Sequence, residues 1–210
     1  MFKKMIAIIT SVIILLTPIQ ASAVTWGAIL TGLQASDTFT SGETAAARTS
    51  EGEYVISGGQ IDELVEVSTL QFSDSLKVLF QNIKIKQLNA HADSGETIVT
   101  ILGSGSEVMD GVSVSAHGKD TNLSLTNENE SKMGSLNAIV HNQAQASIKN
   151  NGEITGGMNN EVHGEGSRLE FVNDKEGRIT GGMDNGVSEK GELVFTNNGT
   201  ISGKDLFNGA

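Results

Sequence analysis

The sequence predicts an all-β fold, a parallel β-helix (solenoid) of about 23–25 residues per coil, and three observations carry that prediction. An apolar strand, a polar turn opened by asparagine, a short strand and a glycine recur four times, as Leu123–Gly134, Ala146–Gly157, Leu169–Gly182 and Leu193–Gly203. Aligned on the last apolar residue of the first strand, the copies give Leu125, Ile148, Phe171 and Phe195, at spacings of 23, 23 and 24. A fixed period of this size marks repeats that bury a core only by stacking on their neighbours. Second, no proline follows Pro18, as suits a ladder in which each inner N–H needs a partner. Third, stretches such as Leu169-Glu170-Phe171 alternate apolar and polar, which gives a strand one buried face.

From the N-terminus, Lys3 and Lys4 precede an apolar run from Met5 to Leu16, Pro18 breaks it, and Ala21-Ser22-Ala23 offers small residues for cleavage. This is a secretory signal pattern over residues 1–23, and the run is shorter than the ~20 residues a spanning helix needs. Residues 24–50, rich in Thr, Ser, Ala and Gly, read as a leader or N-terminal cap. Residues 51–210 read as the solenoid, clearest over 120–210, with about eight coils at most. Exported proteins often carry disulfides, yet this chain has no cysteine, which also excludes a lipoprotein signal. The expected location is the periplasm, the cell surface or the medium, with no membrane span after cleavage.

Charge narrows the function classes. The whole chain carries −11, and removal of Lys3 and Lys4 makes the remainder more acidic still. Three arginines, Arg48, Arg168 and Arg178, cannot make a phosphate-tracking surface, so nucleic acid is excluded as a partner, as is docking on anionic lipid.

One coil illustrates the rest. Leu169 and Phe171 face inward, Asn173 to Gly177 form a turn, and Arg178-Ile179-Thr180 is a short strand with Ile179 inward. Gly181-Gly182 makes a second corner, where a positive φ suits glycine. Met183 to Val187 then forms the third side, and Met158, one period earlier, reads as a matching core plug. The outer turn from the asparagine to the next inward residue is four residues in two copies and six in the other two. Loops absorb such insertions, whereas a one-residue slip would invert a strand's faces. The recurring Asn127, Asn150, Asn173 and Asn197 admit two readings: an amide ladder bonding from coil to coil, or ordinary turn residues.

Phe195-Thr196-Asn197-Asn198-Gly199-Thr200-Ile201-Ser202-Gly203 resembles the N-x-G-T-I-x-G repeat of bacterial autotransporter passenger domains, which are pectin-lyase-like parallel β-helices. Asn150 to Gly157 and Gly177 to Gly182 are similar, and Gly186-Val187 and Gly209-Ala210 echo the G-(I/V) that follows in that family. The resemblance implies a secreted or outer-membrane-associated adhesion or virulence module that acts on a host or bacterial surface glycan or protein. Neither a cofactor nor catalysis is expected. The family's C-terminal membrane barrel has no counterpart here, and Leu206 to Ala210 align with the middle of a coil. The expectation is either a shortened form of a longer protein or an open edge that associates with another chain.

Two further sets of residues matter. His117, His141 and His163 fall 8, 7 and 8 residues before Leu125, Ile148 and Phe171. They are either an outward column that resists joint protonation, and so loosens in mild acid, or unrelated surface residues. Neutral imidazole is also a common metal ligand, although no metal site is expected. The enzymatic alternative is a polysaccharide lyase or hydrolase, with Asp110, Glu161, Asp184 and Glu189 as carboxylates and Arg168 or Arg178 as basic partners. These acidic residues lie scattered through turns with no repeated basic neighbour, which favours solvated surface charge.

Overall fold

The computed structural model describes residues 38–68, 75–93 and 95–203, together with the backbone of 206–209. The expected signal peptide (1–23) and residues 24–37 lie outside the described residues. All regular elements among them are strands, and the parallel strands stack into a solenoid of about 6 turns. At one strand spacing per turn the stack is on the order of 30 Å long.

β1 (Thr38–Ser41) and β2 (Thr44–Arg48) form an antiparallel pair laid against β3 (Tyr54–Ser57). From β3 onward the first sheet is parallel. Its strands are β5 (Ser75–Gln81), β7 (Thr97–Leu102), β9 (Asn122–Asn127), β12 (Gln145–Asn150), β15 (Arg168–Asn173) and β18 (Glu192–Asn197). A narrow side follows, made of β10 (Lys132–Met133), β13 (Glu153–Ile154), β16 (Arg178–Ile179) and β19 (Thr200–Ile201). The second sheet contains β11 (Leu136–His141), β14 (Met158–His163), β17 (Met183–Ser188) and β20 (Leu206–Gly209).

Three strands and three corners per coil therefore describe the later turns only. In the earlier turns β4 (Gln60–Ser68), β6 (Lys84–Ala92) and β8 (Glu107–His117) run through the narrow side and the second sheet without a break. Their pairing register shifts between Ile61 and Leu64 and between Ile85 and Gln87, so a bulge replaces the corner. The later corners carry glycine at Gly134, Gly156 and Gly181. The expected reason for that glycine needs correcting, because Gly156 and Gly181 are absent from the positive-φ positions. Close approach demands it instead: a β-carbon on Gly181 would fall on the carbonyl of Gly156, and one on Gly203 on that of Gly181.

Inward residues stack in columns. Leu125, Ile148, Phe171 and Phe195 are in register, the first three fully buried, and the rings of Phe171 and Phe195 stack at 5.1 Å. The column continues upward through Thr100 and Val78. Met158 and Met183 are paired and buried. On the narrow side, outward Lys84, Glu107, Lys132, Glu153 and Arg178 follow one another rung by rung. Opposite charges thus alternate in a stack where like charges would meet at one strand spacing.

Candidate functional site

The amide ladder runs through the core, not along the surface. Asn127 Nδ2 donates to Asn150 Oδ1 at 2.7 Å, Asn150 to Asn173 at 2.7 Å, and Asn173 to Asn197 at 2.7 Å. The first three asparagines are fully buried. All the donors point one way, which would leave the first carbonyl bare, but the Ser131 hydroxyl donates to Asn127 Oδ1 at 2.6 Å and closes that end. The three buried asparagines hold the coil together and present nothing to a ligand, whereas Asn197 is exposed.

Sequence reasoning missed a second inner ladder. Asn160 and Asn185 are buried on the second sheet, and Asn160 Nδ2 donates to Asn185 Oδ1 at 2.8 Å. The signal was available, since Asn160, Asn185 and Asn208 occupy equivalent places in successive coils and share one register. Above Asn160 lies Ala138, which has no donor, and Asn160 Oδ1 is left without a partner.

Outward residues of the second sheet make an extended polar array joined by hydrogen bonds. Parallel register aligns Asn89, Ser113, Asn137, Asn159 and Asp184 in one row, and His117, His141, His163 and Ser188 in another. The row between them holds His91, Ser115, Ile139 and Glu161. Because Ala116, Val140 and Val162 point into the core, the following histidines point out, as the period-2 pleat requires. His91 is in register with Ser115, so it stands outside the His117 row.

Two histidines are gripped from both sides. His163 Nδ1 meets Ser188 Oγ at 2.7 Å and its Nε2 meets Glu161 Oε2 at 3.2 Å. His91 Nδ1 meets Ser115 Oγ at 2.6 Å and its Nε2 meets Asp93 Oδ2 at 3.2 Å. His117 is held by the Asn142 amide at 2.7 Å, with Asp93 Oδ1 3.9 Å from its Nδ1. His141 lies between them, stacked on His163 at 4.8 Å and 14°, and tilted against His117 at 6.2 Å. Burial first, then the neighbouring His163 and His117, hold His141 below its usual 6.5, against an opposing pull from Glu161. The bond from Asn159, then that from His163, keeps Glu161 below its usual 4.5.

Serine, imidazole and carboxylate in sequence is also how a nucleophile is built. Around Ser115, however, the backbone amides are engaged in ladders on both sides, because β8 lies between β6 and β11, which leaves no paired donors for an oxyanion there. Ser188 ends β17 and is in register with His163 on one side. Stacked imidazoles also keep their lone pairs in separate parallel planes, and no group of three metal-ligating side chains with suitable geometry occurs among the described residues.

The carboxylates and arginines considered for polysaccharide chemistry do not converge. Arg168 lies on the first sheet and pairs with Glu192 and Glu170, Arg178 lies on the narrow side, and Glu161 and Asp184 are on the second sheet. Asp110 sits in β8, and Glu189 in the turn after β17 with a left-handed φ of 53°. A shallow trough of about 300 Å³ on the second sheet is lined by Glu66, Ser68, Asn89, His91, Ser113 and Ser115, with Val67 and Ala90 beneath. Asn89 Oδ1, shielded from solvent, has no protein partner there. Comparison of the chain with protein-family models, with curated proteins and with solved structures found no match.

Proposed function

We propose that this chain is an exported interaction module, related to autotransporter passengers, that binds a surface glycan or protein through the outer face of its second sheet. The observation that carries the reading is the register of that face. Amides, hydroxyls, imidazoles and carboxylates recur at one strand spacing on a parallel sheet backed by a filled core. Such an array offers many weak polar contacts at a fixed repeat and little conformational entropy is lost when they are engaged. Chemistry on a substrate needs convergent groups and enclosure instead.

Arrays of bacterial and host surface glycans and proteins, probed with the full chain, test this proposal. Ser113→Arg with Asn137→Arg on the second sheet is expected to abolish binding at least tenfold, while Ser124→Arg with Ser147→Arg on the first sheet leaves it intact. Equal loss from both pairs, or turnover of an acidic polysaccharide abolished by Asp184→Ala, would overturn it.

A further inference from the structure

We infer that the His117–His141–His163 row is an acid-responsive charge switch whose central ring, set against a neighbour on each side, is the last to take up charge. It goes beyond the binding proposal and stands whether or not a ligand is found.

The geometry sets the order. Each outer ring has a carboxylate to share its charge, Asp93 for His117 and Glu161 for His163. On the other nitrogen His163 has the Ser188 hydroxyl, which can accept, and the Asn142 amide beside His117 Nε2 must turn its oxygen to the ring once that nitrogen carries a proton. His141 lacks such a carboxylate contact and stacks face to face on His163. Protonating it places a third like charge within 4.8 Å of one imidazolium and 6.2 Å of another, with Glu161 the one carboxylate acting to offset them. The turns that follow these strands and β17 add Lys119, Asp120, Glu165, Glu189 and Lys190, and Lys190 is itself paired with Glu165 at 3.1 Å.

The sign of the stability effect follows. A histidine whose folded pKa is depressed leaves the unfolded chain binding more protons just below pH 6.5, so stability falls as pH drops from there through the folded value. Once His141 is charged the stacked pair separates, and the outer face of β8, β11 and β14 carries three new positive charges.

Imidazole resonances of the full chain, followed by NMR from pH 8 to pH 4.5, test the order. His141 is expected to titrate last and below 6.5. His163→Gln should raise its midpoint more than His117→Gln, matching the shorter ring separation, and 1 M salt should draw the three midpoints together. A thermal unfolding series supplies an independent reading: His141→Gln should lose less of its melting temperature between pH 7 and pH 5 than the parent chain. If His141 titrates with or before its neighbours in the unaltered protein, or if His163→Gln leaves it unmoved, the switch does not exist.

Discussion

Removing one rung of the buried amide ladder tests how this solenoid is held together, and the effect should depend on which rung is removed. Asn150→Ala deletes an acceptor for Asn127 Nδ2 and a donor to Asn173 Oδ1, both at 2.7 Å and both in positions closed to water. Each buried group stranded in this way costs about 1–3 kcal/mol. Asn127 Nδ2 keeps a long 3.4 Å contact to the Glu153 carbonyl, which trims one of the two losses. With the small void added, the expected cost is about 3–5 kcal/mol. Asn197→Ala removes the last rung, which is exposed. The stranded Asn173 Nδ2 still reaches the carbonyls of Gly177 at 3.3 Å and Thr200 at 3.4 Å. That change should cost about 1 kcal/mol or less. Urea unfolding followed by circular dichroism reads both, with an unchanged slope needed before midpoints are compared. If the two variants agree within ~0.5 kcal/mol, these asparagines are ordinary turn residues and the ladder contributes nothing special.

Three further expectations can be checked on the same assay. Thr100 is fully buried between Val78 and Leu125 with its hydroxyl unpaired, so Thr100→Val should stabilise the chain by about 1 kcal/mol; destabilisation would show that the hydroxyl is satisfied in solution. Gly181→Ala drives a methyl into the Gly156 carbonyl and should cost about 2 kcal/mol or more, whereas Gly186→Ala meets only the Glu161 side chain at 3.9 Å and should lie within ~0.5 kcal/mol of the parent. Glu161, held below 4.5 in the folded state, contributes stability that is complete above that pH and disappears as pH falls through its folded value. Glu161→Gln should therefore flatten the stability curve below about pH 4.5, and an unchanged slope would remove Glu161 from the account.

Much of the coil was legible because a stacked parallel strand leaves two independent marks in a sequence. Alternation says which residues face inward, and the repeat says which inward residues meet. Leu125, Ile148 and Phe171 could be placed in one column from those marks alone, and so could His117, His141 and His163 on the outside. The same marks were present for Asn160 and Asn185, but each follows a polar residue, Asn159 or Asp184, so the third side was legible there and the burial of its asparagine was not. Buried asparagine is read easily after an apolar strand and poorly inside a polar one. The long early strands were hidden for a different reason. Asp62-Glu63 and Met109-Asp110 look like corner residues, yet the chain bulges there and continues, in β8 with Gly111 set close against Ser135.

Phase and period, written in the order of residues, determined that this chain winds into rungs and which side chains fill them, because both are local properties of a pleated strand. Contacts between rungs were decided only in three dimensions: which way each amide points, that Ser131 closes one ladder while Ala138 leaves the other open, and that Asp93 and Glu161 flank opposite ends of the histidine row. Apart from Glu161 and His163, which share β14, those partners lie about two dozen residues apart or across a corner of variable length. Their meeting depends on the turn conformations between them, which composition alone does not specify.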